Sequence, residues 1–132
     1  MNAIPLAPAD PDFAARVRDS FGRQPFMEHI GARITALEPG FCEITVDHRR
    51  ELTQQHGFVH GGVLASIADS AAGYAAFSLM PAEASVLTVE YKLNLLLIVY
   101  GYIPRDCNHL IYMPIRARGA RTLPIVPMLA NP

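Results

Sequence analysis

The segment that decides the fold runs from Gly61 to Met80 and reads GGVLASIADSAAGYAAFSLM. Its alanine-rich, apolar composition predicts one long helix, which Pro81 stops. The segment has about the 20 residues that a membrane span needs. Asp69 lies at its centre, however, and a carboxylate there costs about 2.5–3.5 kcal/mol on insertion scales. We therefore expect a buried helix in a soluble domain and no membrane partner.

Asp69 is the only formally charged residue between Leu52 and Ala82. Because burying an ionised carboxylate without a partner is costly, such a residue is neutralised, paired or used in chemistry. Residues 54–62, QQHGFVHGG, supply polar side chains and two glycines at the start of the helix. Backbone amides at a helix N-terminus stabilise a developing negative charge. This combination suggests acyl transfer, and a structural aspartate that bonds a neighbouring helix or histidine is the alternative.

The composition excludes several classes of partner. The chain has 132 residues and a formal net charge of −1, which predicts a single domain over residues 1–132 that binds no nucleic acid. Cys42 and Cys107 have no close spacing, which favours a reducing cytoplasm, with one disulfide as the alternative. The N-terminal stretch MNAIPLAPADPDF has neither a basic region nor an apolar run. We therefore expect no signal peptide and a cytoplasmic protein.

Before the long helix, the sequence predicts a short helix and a hairpin. Asp10 is the expected N-cap of the first helix, with Pro11 at its first position. Two strands, Ala32–Leu37 and Phe41–Val46, flank the Glu-Pro-Gly sequence of residues 38–40. Proline and glycine suit the two central positions of a type II turn, so the two strands are expected to pair through this turn.

Alternation of apolar and polar residues assigns the faces of the strands. In the second strand, apolar Cys42, Ile44 and Val46 alternate with Glu43, Thr45 and Asp47. Cys42 is therefore expected to be a small core residue.

A third, long strand is expected after the helix, over Ser85–Leu97. Its core-facing residues are expected to be these: Leu87, Val89, Tyr91, Leu93 and Leu95. Such strands and one helix rich in small residues favour an α+β architecture, in which an antiparallel sheet curls around the central helix.

Two motifs carry a resemblance to a known family. The run HGFVHGGVLASIADSAAGYAA, residues 56–76, followed by TVEYKLNLL, residues 88–96, resembles the hotdog-fold acyl-CoA thioesterases, and most closely the phenylacetic-acid-degradation branch. The resemblance covers Glu28–Leu96 and implies a hotdog fold, in which an antiparallel sheet wraps around a long central helix. It also implies a hydrolase that converts an acyl-CoA substrate to a free acid and CoA, without a metal or redox cofactor. The alternatives are a non-catalytic acyl-CoA-binding or assembly protein and a hotdog dehydratase or hydratase that acts on acyl thioesters.

The resemblance also implies a set of catalytic residues. The backbone N–H of Gly61, directly after His60, corresponds to the donor that polarises the thioester carbonyl. Asp69 corresponds to the carboxylate that attacks the thioester or activates water. His60 and Gln54 are expected to orient the thioester or the water, although Gln54 stands where these enzymes often have asparagine. Thr88 stands where some relatives have a serine or threonine that assists the water, and an ordinary strand residue is the alternative.

Gly62 and His56 are expected to contribute to substrate binding. Each has a simpler alternative, because Gly62 could serve only close helix packing and His56 could serve only the shape of the loop. His56 and His60 are four residues apart, but the glycine between them and the lack of a third ligand nearby argue against a zinc site. We therefore expect no metal.

The spacing of Gly61 and Asp69 predicts that the active site is shared between two chains. The two residues are eight positions apart, so one straight helix holds them roughly 12 Å apart along its axis. A thioester carbonyl needs both groups within about 3 Å or one bridging water. We expect a homodimer in which a symmetry-related helix supplies Asp69, with a homotetramer as the alternative assembly.

Residues 97–132 depart from the family pattern, which continues with two long antiparallel strands joined by a short Gly-Arg-Thr-Leu turn. Five prolines occur in this region: Pro104, Pro114, Pro124, Pro127 and Pro132. Proline removes ladder donors and is tolerated at sheet edges, not in central strands. Residues 119–123, GARTL, resemble a displaced form of the turn, and both a divergent tail and a reading-frame change would account for this region.

Three arginines either bind CoA phosphates or form a solvated face: Arg116, Arg118 and Arg121.

Overall fold

The computed structural model describes residues 6–93 and the backbone of residues 110–116. The elements in these residues are α1 (Phe13–Gly22), α2 (Pro25–Ile30), β1 (Arg33–Glu38), β2 (Phe41–Asp47), α3 (Gly61–Phe77) and β3 (Leu110–Arg116). The three strands form an antiparallel sheet in the order β1-β2-β3, and α3 packs against β2 and β3. The predicted α+β architecture is confirmed.

The hairpin of β1 and β2 forms as the sequence predicts, with strand limits that differ by one residue. Glu38 pairs with Phe41 across the turn. Gly40 between them has a φ of 73°, the left-handed conformation that the second central residue of a type II turn requires. A register shift between Ile34 and Ala36 places an irregularity in β1.

The core lies between β2 and α3. Cys42, Ile44 and Val46 are buried and form one apolar cluster with the inner face of α3. Cys42 is fully buried in this cluster and is a core residue, as predicted; this burial raises the pKa of its thiol to about 12. Thr45 is also buried, although simple alternation placed it on the polar side. The difference arises because β2 is the middle strand, with Arg33 and Tyr112 beside Thr45 in register.

The predicted start of the first helix is wrong by two residues. The Asp10 carboxylate accepts a hydrogen bond from the Asp12 N–H, and the Asp10 carbonyl accepts one from the Phe13 N–H. Asp10 therefore forms the turn that precedes α1, and the helix begins at Phe13.

Helix α2 was not expected from the sequence. Its six residues begin with Pro25 and end at Ile30, and Gly31, with a φ of 71°, follows as a left-handed C-cap. These are ordinary start and stop signals. The helix is too short for its apolar periodicity to be recognised.

The long helix α3 ends at Phe77 rather than at Met80. Ser78 follows it and is fully buried. The Ser78 hydroxyl donates to the Ala75 carbonyl at 2.7 Å and accepts from the Gly40 N–H at 2.7 Å. One side chain therefore satisfies groups at the end of α3 and in the hairpin turn.

The expected third strand over Ser85–Leu97 is wrong for its described part, since residues 85–93 form no strand. Both edges of β2 are occupied, one by β1 and the other by β3. Leu87 and Val89, which were expected to face the core, are 88% and 94% exposed. Residues 94–97 lie outside the described part of the chain.

The segment after α3 instead runs back along that helix. A Cβ at Gly73 would lie 3.6 Å from Val86 Cγ1, and the Thr88 hydroxyl bonds Asp69. From Val86 to Thr88 the segment moves forward by two residues, while its contacts on α3 move back from Gly73 to Asp69. The segment and α3 therefore run antiparallel.

Strand β3 shows how one of the prolines is accommodated. Pro114 lies opposite Glu43 in register, and β3 is an edge of the described sheet, where a missing ladder donor is tolerated. Several other features of the sequence lie outside the described residues: Cys107, the prolines 104, 124, 127 and 132, the arginines 118 and 121, and residues 119–123. Among the described helices, none combines the length and apolar character that a bilayer span requires.

Arg16 joins α1 to the end of α3. Its Nε donates to Asp10 at 2.8 Å, and its Nη2 donates to the Met80 carbonyl at 2.7 Å. Its guanidinium lies 4.1 Å from the centre of the Phe77 ring. A cation beside the last carbonyls of a helix complements the helix dipole, so this largely buried side chain holds the C-terminal end of α3 in place.

Replacing Arg16 with methionine should therefore destabilise the fold. Arg16→Met removes the donor that the half-buried Asp10 carboxylate shares with the Met80 carbonyl, and we expect a loss of about 2–4 kcal/mol in the free energy of unfolding. Arg23→Met is the control, because Arg23 pairs with Asp19 on the exposed side of α1 and such pairs contribute less than about 1 kcal/mol. Urea unfolding measures both variants, and equal losses would contradict this account.

Candidate active site

The loop before α3 is closed by its own backbone. Gln54 donates from its N–H to the Phe58 carbonyl at 2.8 Å, and the Gly57 N–H donates to the Gln54 carbonyl. Gly57 has a φ of 85°, a conformation that favours glycine. The Gln54 side chain accepts from the His56 N–H at 2.6 Å. Gln54 therefore shapes this loop, and the His56 side chain is exposed.

His60 is the N-cap of α3. Its N–H donates to the Leu52 carbonyl at 2.8 Å, which fixes the start of the helix. Its ring Nδ1 accepts from the Gly62 N–H at 2.9 Å. A Cβ at position 62 would lie only 2.9 Å from this nitrogen. The ring thus occupies the space that a side chain on residue 62 would need, which explains the glycine there.

The first-turn amides of α3 have different partners. The Gly62 N–H is bonded to the His60 ring, and the Val63 N–H donates to the His60 carbonyl at 2.9 Å. The Gly61 N–H has no acceptor among the described residues. Since the N-terminus of a helix carries partial positive charge, Gly61 presents an available donor in a field that favours an oxyanion.

Asp69 lies halfway along α3, half-buried and outside the core face that contains Ala68 and Ala71. Its Oδ1 accepts from the Thr88 hydroxyl at 2.7 Å. Its second carboxylate oxygen has no partner within the described part of the chain. The structure therefore brings Asp69 and Thr88 together and leaves one oxygen of the carboxylate available.

The predicted site residues fall into two groups. One group lies at the N-terminus of α3 and its loop: Gln54, His56, His60, Gly61 and Gly62. The other group is the Asp69–Thr88 pair, which is separated from Gly61 by eight residues of continuous helix, or about 12 Å along its axis. A single chain does not place the carboxylate beside the Gly61 amide.

An open groove of about 450 Å³ lies beside the first group of residues. His60, Gly62, Val63 and Ser66 line one side of it, and Asp69 does not line it. The opposite wall includes residues of α2 that the sequence did not single out, because α2 itself was not expected. In residues 6–93, no three His, Cys, Asp or Glu side chains are arranged to hold a metal ion.

Comparisons with known proteins agree with this architecture. A thioesterase family protein from Silicibacter pomeroyi has a similar structure, with 49% sequence identity and a TM-score of 0.67, over 77% of this chain and 70% of that one. The Escherichia coli PaaI protein of the phenylacetic acid degradation operon shares the fold at 20% identity, with a TM-score of 0.56 over 80% of this chain and 70% of that one. The described fold is therefore the hotdog fold, which these two structures share.

The family follows from the sequence match. Residues 15–99 match the family described as "Domain of unknown function (DUF4442)", and the chain belongs to that family. An esterase candidate from Saccharolobus solfataricus is 30% identical over 82 residues, which are 62% of this chain and 54% of the relative. The chain thus spans about half the length of that relative.

The contact between His60 and Gly62 can be tested through stability. Gly62→Ala introduces a methyl group against His60 Nδ1, so it should displace the ring and remove a cap that is typically worth about 1 kcal/mol. Gly22→Ala is the matched control, since a Cβ there meets nothing within 4 Å and should stabilise α1 by about 0.4–1 kcal/mol. Urea unfolding should show Gly62→Ala as the less stable variant by about 1 kcal/mol or more, and equal stabilities would disprove the steric role of the ring.

Proposed function

We propose that this protein hydrolyses an acyl-CoA thioester to a free acid and CoA. The observation that carries the proposal is the Gly61 N–H, which has no acceptor among the described residues and lies at the N-terminus of a helix of 17 residues. A donor of this kind stabilises the oxyanion of an acyl-transfer reaction and is typically worth about 10²–10³ in rate. The similarity to a thioesterase family protein at 49% identity supports the same reaction.

Asp69 supplies the base or the nucleophile in this proposal. As a base, its available oxygen takes a proton from water while the water oxygen attacks the thioester carbon, and the resulting oxyanion is held by the Gly61 N–H. Collapse of the tetrahedral intermediate breaks the carbon–sulfur bond, and the CoA sulfur leaves as a thiol once protonated. As a nucleophile, Asp69 would instead form a mixed anhydride that water then hydrolyses. In both routes the Thr88 hydroxyl holds Oδ1 and orients the carboxylate.

The remaining polar residues have supporting roles. His60 Nδ1 accepts the hydrogen bond of the Gly62 N–H. The neighbouring Gly61 N–H is therefore the donor that remains for the substrate. Gln54 keeps the loop closed through the His56 N–H. Their contribution to binding is thus to hold the backbone around the thioester in one conformation, which is a positioning role.

We further propose that the protein acts as a homodimer with two shared sites. Gly61 of one chain and Asp69 of the same chain are too far apart for one carbonyl, as the intact helix between them shows. An antiparallel α3 from a twofold-related copy brings its Asp69 to this Gly61, and symmetry then creates two identical sites. A homotetramer would be a pair of such dimers. The free, buried Cys42 thiol is compatible with a cytoplasmic location.

A second candidate is a non-catalytic acyl-CoA-binding protein. One observation favours it: residues 85–93 run along α3 with Thr88 on Asp69, rather than forming a strand of the sheet. A bound Thr88 could leave the carboxylate too restrained for turnover. Release of free thiol from acyl-CoA separates the two functions, because only hydrolysis produces it.

Replacement of the carboxylate tests the catalytic role directly. Asp69→Asn keeps the shape and removes the charge, so turnover should fall by at least about 10², within the range for loss of a general base. Asp19→Asn is the control, because Asp19 lies on the exposed side of α1 in an ion pair with Arg23. Thiol release measures activity and circular dichroism checks the fold. Activity within a few-fold of wild type for Asp69→Asn would make the residue structural.

Mixing two inactive variants tests the shared site. Gly61→Pro removes the amide donor at the first helical position, where proline is tolerated. His60 has a φ of −64° and a ψ of 135°, an extended conformation that suits a residue before proline. Asp69→Asn removes the carboxylate, so each homodimer should be inactive.

After unfolding and refolding together at equal ratio, about half of the dimers are mixed and each has one intact site, so activity should return to about a quarter of wild type. Native mass spectrometry confirms that mixed dimers are present. If they are present and activity stays absent, each chain builds its own site.

A further inference from the structure

The groove beside the first turn of α3 has a wall built by α2, in which Phe26 is the exposed apolar side chain. This helix contributes Phe26, His29 and Ile30, and α3 contributes Val63 and Ser66 from the other side. A volume of about 450 Å³ lies within the range of small-molecule sites, which are mostly apolar with a few polar groups. The groove is therefore large enough for more than the thioester itself.

The groove lies next to the proposed oxyanion donor, although Gly61 itself does not line it. His60 and Gly62, the residues on either side of Gly61, both line it. A thioester whose carbonyl oxygen accepts from the Gly61 N–H would therefore have its acyl carbon next to this groove. Either the acyl group or the CoA portion extends along it, and the apolar lining favours the acyl group.

We propose that the groove between α2 and the start of α3 binds the acyl group, and that Phe26 determines how strongly long apolar acyl groups are preferred over short ones. This inference rests on the proposed thioester hydrolysis. Phe26 is the residue to test because it is 53% exposed, so its ring is available to a ligand and contributes little to the core. By contrast, Ile30 is 4% exposed and belongs to the core.

The charge of the lining also restricts the acyl group. Glu51 is the only formally charged residue among those described along the groove. A carboxylate on the acyl group would lie against this mostly apolar lining and would be repelled by the like charge of Glu51. The groove therefore selects an uncharged acyl group over a dicarboxylic one of similar length.

The first experiment compares acyl-CoA substrates by kcat/KM from thiol release. For wild type, octanoyl-CoA should be preferred over acetyl-CoA and over octanedioyl-CoA, which has the same length and a terminal carboxylate. Phe26→Ala should lower kcat/KM for octanoyl-CoA by about tenfold, the lower end of the range for lost apolar pocket contacts, and leave acetyl-CoA within about twofold. Ser66→Phe, which fills the groove from α3, should also reduce the preference for octanoyl-CoA.

Leu6→Ala is the matched control for truncation of an exposed apolar side chain. Leu6 is 42% exposed, and nearby Ala9 bonds Leu79 beyond the far end of α3. This variant should behave as wild type on every substrate. Circular dichroism checks that all variants fold.

A second experiment separates failure of this inference from failure of the proposed reaction. Isothermal titration with the thioether analogue octyl-CoA, which cannot be hydrolysed, measures binding alone. If Phe26→Ala binds octyl-CoA about tenfold more weakly than wild type, the result supports the assignment of the groove as the acyl site. That conclusion would stand even if wild type released no thiol, because the absence of thiol release contradicts only the proposed hydrolysis. Unchanged octyl-CoA binding, or an equal loss of kcat/KM on acetyl-CoA and octanoyl-CoA, would overturn the assignment of the groove.

Discussion

The packing of α3 on β2 is the constraint on which the rest of the structure depends. Alanines on the inner face of the helix, such as Ala71 and Ala75, are buried against the cluster that contains Cys42 and Ile44. Small side chains let the helix lie close to the sheet, and a larger residue there would force off-rotamer packing or backbone shifts. The position of every functional group on α3 follows from this contact.

Both ends of α3 are tied to the rest of the domain by polar groups that would otherwise be unsatisfied. At the start, His60 bonds Leu52 through its backbone and caps the first turn through its ring. At the end, Ser78 bonds the hairpin turn and Arg16 bonds the carbonyls that follow the helix. Because helix termini leave several backbone groups without intrahelical partners, these contacts stabilise the fold and also fix which amides stay available.

The same arrangement divides the candidate site. A rigid helix puts the amide of Gly61 at its positive end and the carboxylate of Asp69 roughly two turns further on. Neither group can move toward the other without breaking the helix. In the proposed mechanism the two groups are combined by association of two chains, and the groove that α2 forms lies beside the first turn of α3 only.

The sequence by itself determined the central helix, the hairpin, the buried cysteine and the isolation of Asp69, because these depend on local rules: apolar composition, proline and glycine at defined turn positions, and the cost of burying charge. The motif around His60 also indicated which amide is available, although the hydrogen bond to Gly62 required the structure. Only the tertiary structure decided the conformation of residues 85–93, whose alternation is typical of a strand. Whether such a segment pairs with a sheet edge or packs along α3 depends on contacts such as Thr88 with Asp69, between residues far apart in sequence. The groove wall that α2 forms was also decided only by the tertiary structure, since a helix of six residues is stabilised mainly by the elements it packs against.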